Sequence, residues 1–166
     1  EFKYPNRNEQ QANNENAFFH YWIVFINACF INVIYAGVMN GTITIFTIGF
    51  TGSSAEHFFE RLRKASVKKV IDTRLWANSQ LAGFAKKKDL PYFLKEIADI
   101  DYEYREELAP SDDTLKPFKD NKISWDEYEA QYIDLINHRN ISNVLQPDEV
   151  DQACFFMRMQ NRASLP

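Results

Sequence analysis

Between Thr42 and Ile71 the chain sets two short apolar runs on either side of one amphipathic stretch, and that succession admits few folds. Thr42–Ile48 is β-branched and aromatic, and Gly49 closes it, as expected for a buried strand. Ser53 stands three residues before Glu56 in a capping-box pattern. Phe58, Phe59, Leu62 and Ala65 then recur at spacings that draw one apolar stripe along a helix. Val67–Ile71 is the next strand. Strand, helix and strand in so short a stretch form a βαβ unit, whose strands lie parallel and whose crossover is right-handed.

The alternation then repeats. Asp89 and Pro91 open a second helix with Phe93, Leu94 and Ile97 on its apolar face, since proline is tolerated in a first turn. Ile100–Tyr104 is a third strand. Ser124 and Glu127 make another capping box, followed by the stripe Trp125, Tyr128, Tyr132, Leu135 and Ile136. Ala153–Met157 closes the pattern as a buried strand. The expected fold class is therefore α/β: a three-layer-like parallel or mixed sheet of about four strands, flanked by helices. Residues Ala109–Lys122 are expected to form a loop long enough to act as a lid.

The chain ahead of this domain has a different character. Residues 1–16 are polar and read as disordered, whereas Ala17–Val38 contains no charged side chain. The second run matches the roughly twenty apolar residues a bilayer-crossing helix needs, with aromatics near both ends. Against a membrane helix stand His20, Asn27 and Asn32, which are costly in lipid, and the thin positive flank of Lys3 and Arg7. The competing expectation is that 1–38 is non-native read-through and that translation starts at Met39, the first methionine. The domain reading is thus 1–38 as a polar segment plus apolar run, and 39–166 as the α/β domain, altered after 155.

With 166 residues, 45% hydrophobic and 25% charged, the chain suits one soluble domain. Its net charge of −4 argues against general affinity for nucleic acid or anionic membranes, because phosphate binding needs clustered cations. The run Lys86-Lys87-Lys88 reads as a solvated helix start, or as a local phosphate-binding patch. Cys29 and Cys154 are far apart and provide no disulfide framework, which points to a reducing, cytoplasmic setting unless 17–38 is a single-pass anchor.

Ligands of open α/β sheets bind beyond the carboxyl ends of the strands. Gly49, Phe50 and Thr51 fall there after the first strand, Asp72 and Arg74 after the second, and Glu106 and Glu107 after the third. Gly49 permits close approach, and the hydroxyls of Thr51, Ser53 and Ser54 lie where free amides of a helix start can hold an anion. Asp72 and Arg74 lie two apart, so in a strand both point to one face. Asp72 then serves as a general base or an orienting acceptor, and Arg74 as a bidentate clamp for phosphate or carboxylate. The same two residues serve equally as a structural ion pair, and Ser53 as a helix cap. His20, His57 and His138 show no metal spacing, and no nucleophilic triad or P-loop pattern occurs. These residues give no metal site, and the cofactor is not legible in the sequence. The Trp76–Phe84 loop either lines a pocket or packs beneath the sheet.

At these residues the chain resembles the prokaryotic family catalogued as domain of unknown function four-eight-eight. The resemblance lies in Thr47-Ile48-Gly49, Asp72-Thr73-Arg74, Ser79 to Phe84, Glu107 to Pro110 and Ser124-Trp125, and spans about Met39 to Phe155. It implies the fold and the position of the pocket; the residues expected there are Gly49, Thr51, Ser53, Ser79 and Gln80 as ligand-binding groups, with Asp72, Arg74 and Glu107 as the catalytic candidates. Members often carry histidine where Phe50 stands, so Phe50 is given no catalytic role. They also continue past the last strand into a Leu-Cys-x-Glu step, a proline turn, a Cys-His-Arg step and a final helix. Here Phe156 to Pro166 reads otherwise. Read one base later, its codons can encode a cysteine-rich ending of the family type, with the cysteine at Met159 forced by the single methionine codon and the C that begins every codon for Gln160. A frameshift is therefore expected, together with an exposed apolar patch at Phe155 and Phe156 where the final helix is missing.

The functional expectation is an enzyme-like domain that binds a small phosphorylated or nucleotide-like ligand. The alternative is a non-catalytic protein-interaction module with a structural Asp72–Arg74 pair. Oligomeric state is not legible in the sequence.

Overall fold

The computed structural model describes residues 32–38, 41–78, 82–141 and 145–157. Five strands form one sheet in the order β1-β2-β5-β3-β4. They are β1 (Asn32–Val38), β2 (Gly41–Ile48), β3 (Lys69–Asp72), β4 (Asp101–Tyr104) and β5 (Ala153–Phe156). β1 pairs antiparallel with β2, and the other four run parallel. The sheet is mixed, one of the two expected forms: the four expected strands are parallel and β1 adds an antiparallel fifth.

The first helix, α1 (Ala55–Lys64), buries Phe58, Phe59 and Leu62. Ser54, not Ser53, caps it: the Ser54 hydroxyl accepts from the His57 amide at 3.2 Å. The expected Ser53–Glu56 box does not form; the cap lies one residue later, and Ser53 instead accepts from Arg61. Next come α2 (Leu90–Ala98), opened by Asp89 and Pro91, and α3 (Asp112–Lys119). α4 (Trp125–His138) starts on the predicted Ser124–Glu127 capping box, and the single turn α5 (Pro147–Val150) leads into β5.

The strand periodicity of two divides the core between the faces of the sheet. Ile43, Ile45, Ile71, Ala153 and Phe155 face one layer, which contains Tyr132, Ile136, Ile141 and Val150. Phe46, Ile48, Val70, Cys154 and Phe156 face the other, against Phe58, Leu62, Leu90 and Leu94 of α1 and α2. Fully burying one such large side chain stabilises the fold by roughly 1.5–3 kcal/mol, so the two faces hold the three layers together.

Three expectations are corrected. Ala109–Lys122 is not an open lid loop, since α3 occupies most of it; Ser111 caps that helix by accepting from the Thr114 amide at 3.2 Å. Phe155 and Phe156 do not form an exposed patch: both are buried, because β5 lies between β2 and β3 rather than at an edge. Asn32–Val38 is a strand registered on β2, with Val38 opposite Gly41, so the apolar run does not continue to Val38 as a helix. Among the described residues no helix is long and apolar enough to cross a membrane. Residues 1–31 and 158–166 lie outside the described residues, and so do the start of the apolar run and the altered tail.

Candidate functional site

The carboxyl ends of β2, β3, β4 and β5 converge on one sheet edge. In register, Asp72 stands opposite Tyr104 on one side and Phe156 on the other. Val70 and Asp72 share a face by strand alternation, and Arg74 continues their spacing. The carboxylate of Asp72 and the guanidinium of Arg74 are both buried there.

Their geometry is specific. Arg74 Nε donates to Asp72 Oδ1 at 2.8 Å and Arg74 Nη2 to Asp72 Oδ2 at 2.7 Å, the two parallel bonds of a bidentate pair. The Arg74 amide adds a bond to Oδ1 at 3.1 Å, and the Tyr102 hydroxyl donates to Oδ2 at 2.8 Å. An ionised carboxylate offers about four acceptor positions, and all of these on Asp72 are filled by protein donors. Burial, reinforced by the neighbouring Asp72 carboxylate, pushes the Tyr102 phenol up from its ordinary range and keeps it a donor. Arg74 also lies over aromatic carbon, with Cζ 4.1 Å from the ring centroid of Phe156 and 5.6 Å from that of Phe50. Arg74 Nη1 has no hydrogen-bond partner among the described residues.

Around this pair the wall is aromatic and basic. The Tyr104 hydroxyl donates to the Arg74 carbonyl at 3.3 Å. Burial, with the nearby Glu106 and Asp72 charges, raises the Tyr104 phenol. Lys87 Nζ stands 3.3 Å from the Tyr104 ring centroid, and Lys119 Nζ 3.8 Å from that of the exposed Trp76.

The other expected site residues divide. Gly49 is buried after β2, and its carbonyl accepts from Arg61 Nη2 at 3.4 Å. Arg61 Nη2 also donates to Ser53 Oγ at 3.0 Å, so one cation from α1 straps the Gly49–Ser53 turn. Thr51 is exposed in that turn, and its neighbour Gly52 has a φ of +70°, a conformation that suits glycine. Glu107 is half-exposed and faces Arg105, whose Nη1 is 3.3 Å from it. Arg105 Nε also lies 2.5 Å from Glu103, a close ion pair that lacks hydrogen-bond alignment. Glu107 therefore belongs to a surface ion cluster, with no hydrogen bond or ion pair to Asp72 among the described residues. Ser79 and Gln80 lie outside the described residues. Phe84 of the same loop packs on Phe58 and Phe59, with ring centroids 5.4 and 6.0 Å away.

Sequence reasoning missed Tyr102, Tyr104 and the aromatic bed of Phe50 and Phe156. The signal for the tyrosines was the strict alternation Asp101-Tyr102-Glu103-Tyr104, which puts both rings on one face. Among the described residues, no group of three or more histidine, cysteine or acidic side chains is placed to hold a metal ion.

A three-layer α/β domain with a buried acid–base pair at the carboxyl edge of its sheet is the class these features define. The chain belongs to the family described as Domain of unknown function DUF488, whose sequence profile matches residues 54–157. That match takes in Asp72, Arg74, Tyr102, Tyr104 and β5, and begins after the Thr47-Ile48-Gly49 step. No curated protein and no solved structure matches the chain significantly.

Proposed function

We propose that this domain binds a small phosphorylated or nucleotide-like ligand beyond the carboxyl ends of β2 to β5, in an enzyme-like site. The observation that carries the reading is the orientation of Arg74. Asp72 fixes one edge of the guanidinium with two bonds, while Nη1 on the other edge has no partner among the described residues. A pre-set guanidinium at a strand end is suited to a phosphate oxygen, because its ordering cost is already met by the fold. Asp72 takes the orienting role of the two considered, since its acceptor positions are filled; Tyr102 supports it by donating to the same carboxylate.

A second reading has its own observation. The Arg74 fork closes on Asp72 inside the chain and rests on Phe156, which equally fits a structural pair within a non-catalytic interaction module. The double variant Asp72→Leu/Arg74→Met separates the two. A buried ion pair replaced by apolar groups of similar volume often leaves stability unchanged. On the ligand reading, ADP or a sugar phosphate raises the melting temperature of the wild type, and the double variant folds but loses that shift. Failure of the whole nucleotide and sugar-phosphate set to shift the wild type would leave the interaction module as the surviving reading.

A further inference from the structure

Lys87 occupies a seat that its function as a helix lead-in does not need. Its amide donates to the Ala77 carbonyl at 2.9 Å, which ties the approach to α2 to the loop leaving β3. Its ammonium rests over the Tyr104 ring, and the Tyr104 hydroxyl reaches back to the Arg74 carbonyl. Backbone and side chain together thus place Lys87 against the segment that carries Arg74.

The charge balance at this edge is uneven. Arg74 is neutralised by Asp72, and Arg105 by Glu103 and Glu107. Lys87 has no carboxylate within ion-pair distance among the described residues; Glu106, the acid whose charge acts on Tyr104, makes no ion pair with it. An aromatic face attracts an ammonium through its quadrupole but does not cancel its charge. The ring also excludes water from one side of the cation, which strengthens its pull on an incoming anion. A lysine is a compact point charge with three donors, which suits the oxygens of a phosphoryl group.

We propose that Lys87, seated on Tyr104, is the residue that receives a phosphoryl group of the ligand, with Tyr104 as its positioning residue. This rests on the reading above that a small anion binds at the Arg74 edge. It gives that site a second, uncompensated cation and selects multiply charged phosphoryl ligands over singly charged carboxylates.

The test is isothermal titration of the full chain with ADP and with inorganic pyrophosphate, repeated at several salt concentrations. The wild type is expected to bind both probes. Lys87→Gln should weaken both by about tenfold or more, while Lys87→Arg, which keeps the charge, should stay within about threefold. The salt dependence of affinity should be flatter in Lys87→Gln than in the wild type. The unliganded melting temperature of Lys87→Gln should match the wild type, since the amide bond to Ala77 is retained. Wild-type affinity in Lys87→Gln overturns the role of Lys87 and leaves the anion site standing. Absence of binding of either probe to the wild type overturns both.

Discussion

Phe156, the last residue of β5, lies under the guanidinium of Arg74, with 4.1 Å between Cζ and the ring centroid. The contact joins β5 to the pair at the carboxyl edge of the sheet. Phe156 also meets Phe50 and Phe58 edge-on, at 5.7 and 5.3 Å between ring centroids. Phe156→Leu keeps most of the buried volume but removes both the cation–π and the ring–ring geometry. It should cost about 1–2 kcal/mol in urea denaturation. A wild-type midpoint would show that the ring contributes volume alone.

Breaking the buried pair from one side is a harsher change. Arg74→Ala leaves the Asp72 carboxylate buried with only the Tyr102 hydroxyl and the residue-74 amide as donors. The expected loss is about 3–5 kcal/mol, whereas Asp72→Leu/Arg74→Met should lie close to the wild type. Equal losses in the two variants would mean that the site tolerates no repacking.

The turn after β4 is held by α4, through residues far away in sequence. The Tyr132 hydroxyl donates to the Leu108 carbonyl at 2.5 Å, and Arg139 Nη1 to the carbonyls of Glu107 and Ala109 at 2.8 and 2.5 Å. Tyr132→Phe should lower stability by about 1 kcal/mol. Arg139→Met should speed amide exchange in the Glu107–Ala109 turn more than elsewhere. Uniform exchange changes across the chain would argue against this local role.

Alkaline pH should destabilise the fold. Burial pushes the Tyr128 phenol from 10.0 up to about 12, so the folded state holds that proton more tightly than the unfolded chain. The sign follows from linkage: the contribution is intact below pH 10 and is lost as pH rises from 10 towards about 12. Burial also raises Tyr132 and Cys154, which act in the same direction. Stability should therefore fall by about 1.4 kcal/mol per pH unit for each group in its window. Denaturation series at pH 8 to 11 should show a shallower decline for Tyr128→Phe than for the wild type.

Much of the architecture was written in local pattern. The apolar stripes of α1 and α4, the Ser124 cap and the buried strands β2 and β5 each follow from local spacing or apolar runs, whereas Ile97, expected on the apolar face of α2, is exposed. The same logic placed Asp72 and Arg74 on one face. Local pattern also misled in places. The apolar length of Ala17–Val38 suggested a bilayer helix, whereas Asn32–Val38 finds its partner in β2, just beyond the two-residue step Met39-Asn40. Ala109–Lys122 reads as a loop, although Ser111 and the acids Asp112 and Asp113 supply a cap and first turn for α3.

Sequence alone determined the α/β class, the succession of the strands and helices other than β1, α3 and α5, and the side-by-side placement of Asp72 and Arg74, since each follows from the periodicity of one continuous segment. Tertiary structure decided the insertion of β5 between β2 and β3, and with it the burial of Phe155 and Phe156. It also decided that Arg74 bonds to Asp72, that Tyr102 and Tyr104 join them, and that Lys87 rests on Tyr104. Strand order and cross-strand contact join residues distant in the chain, and no local spacing encodes which of them meet.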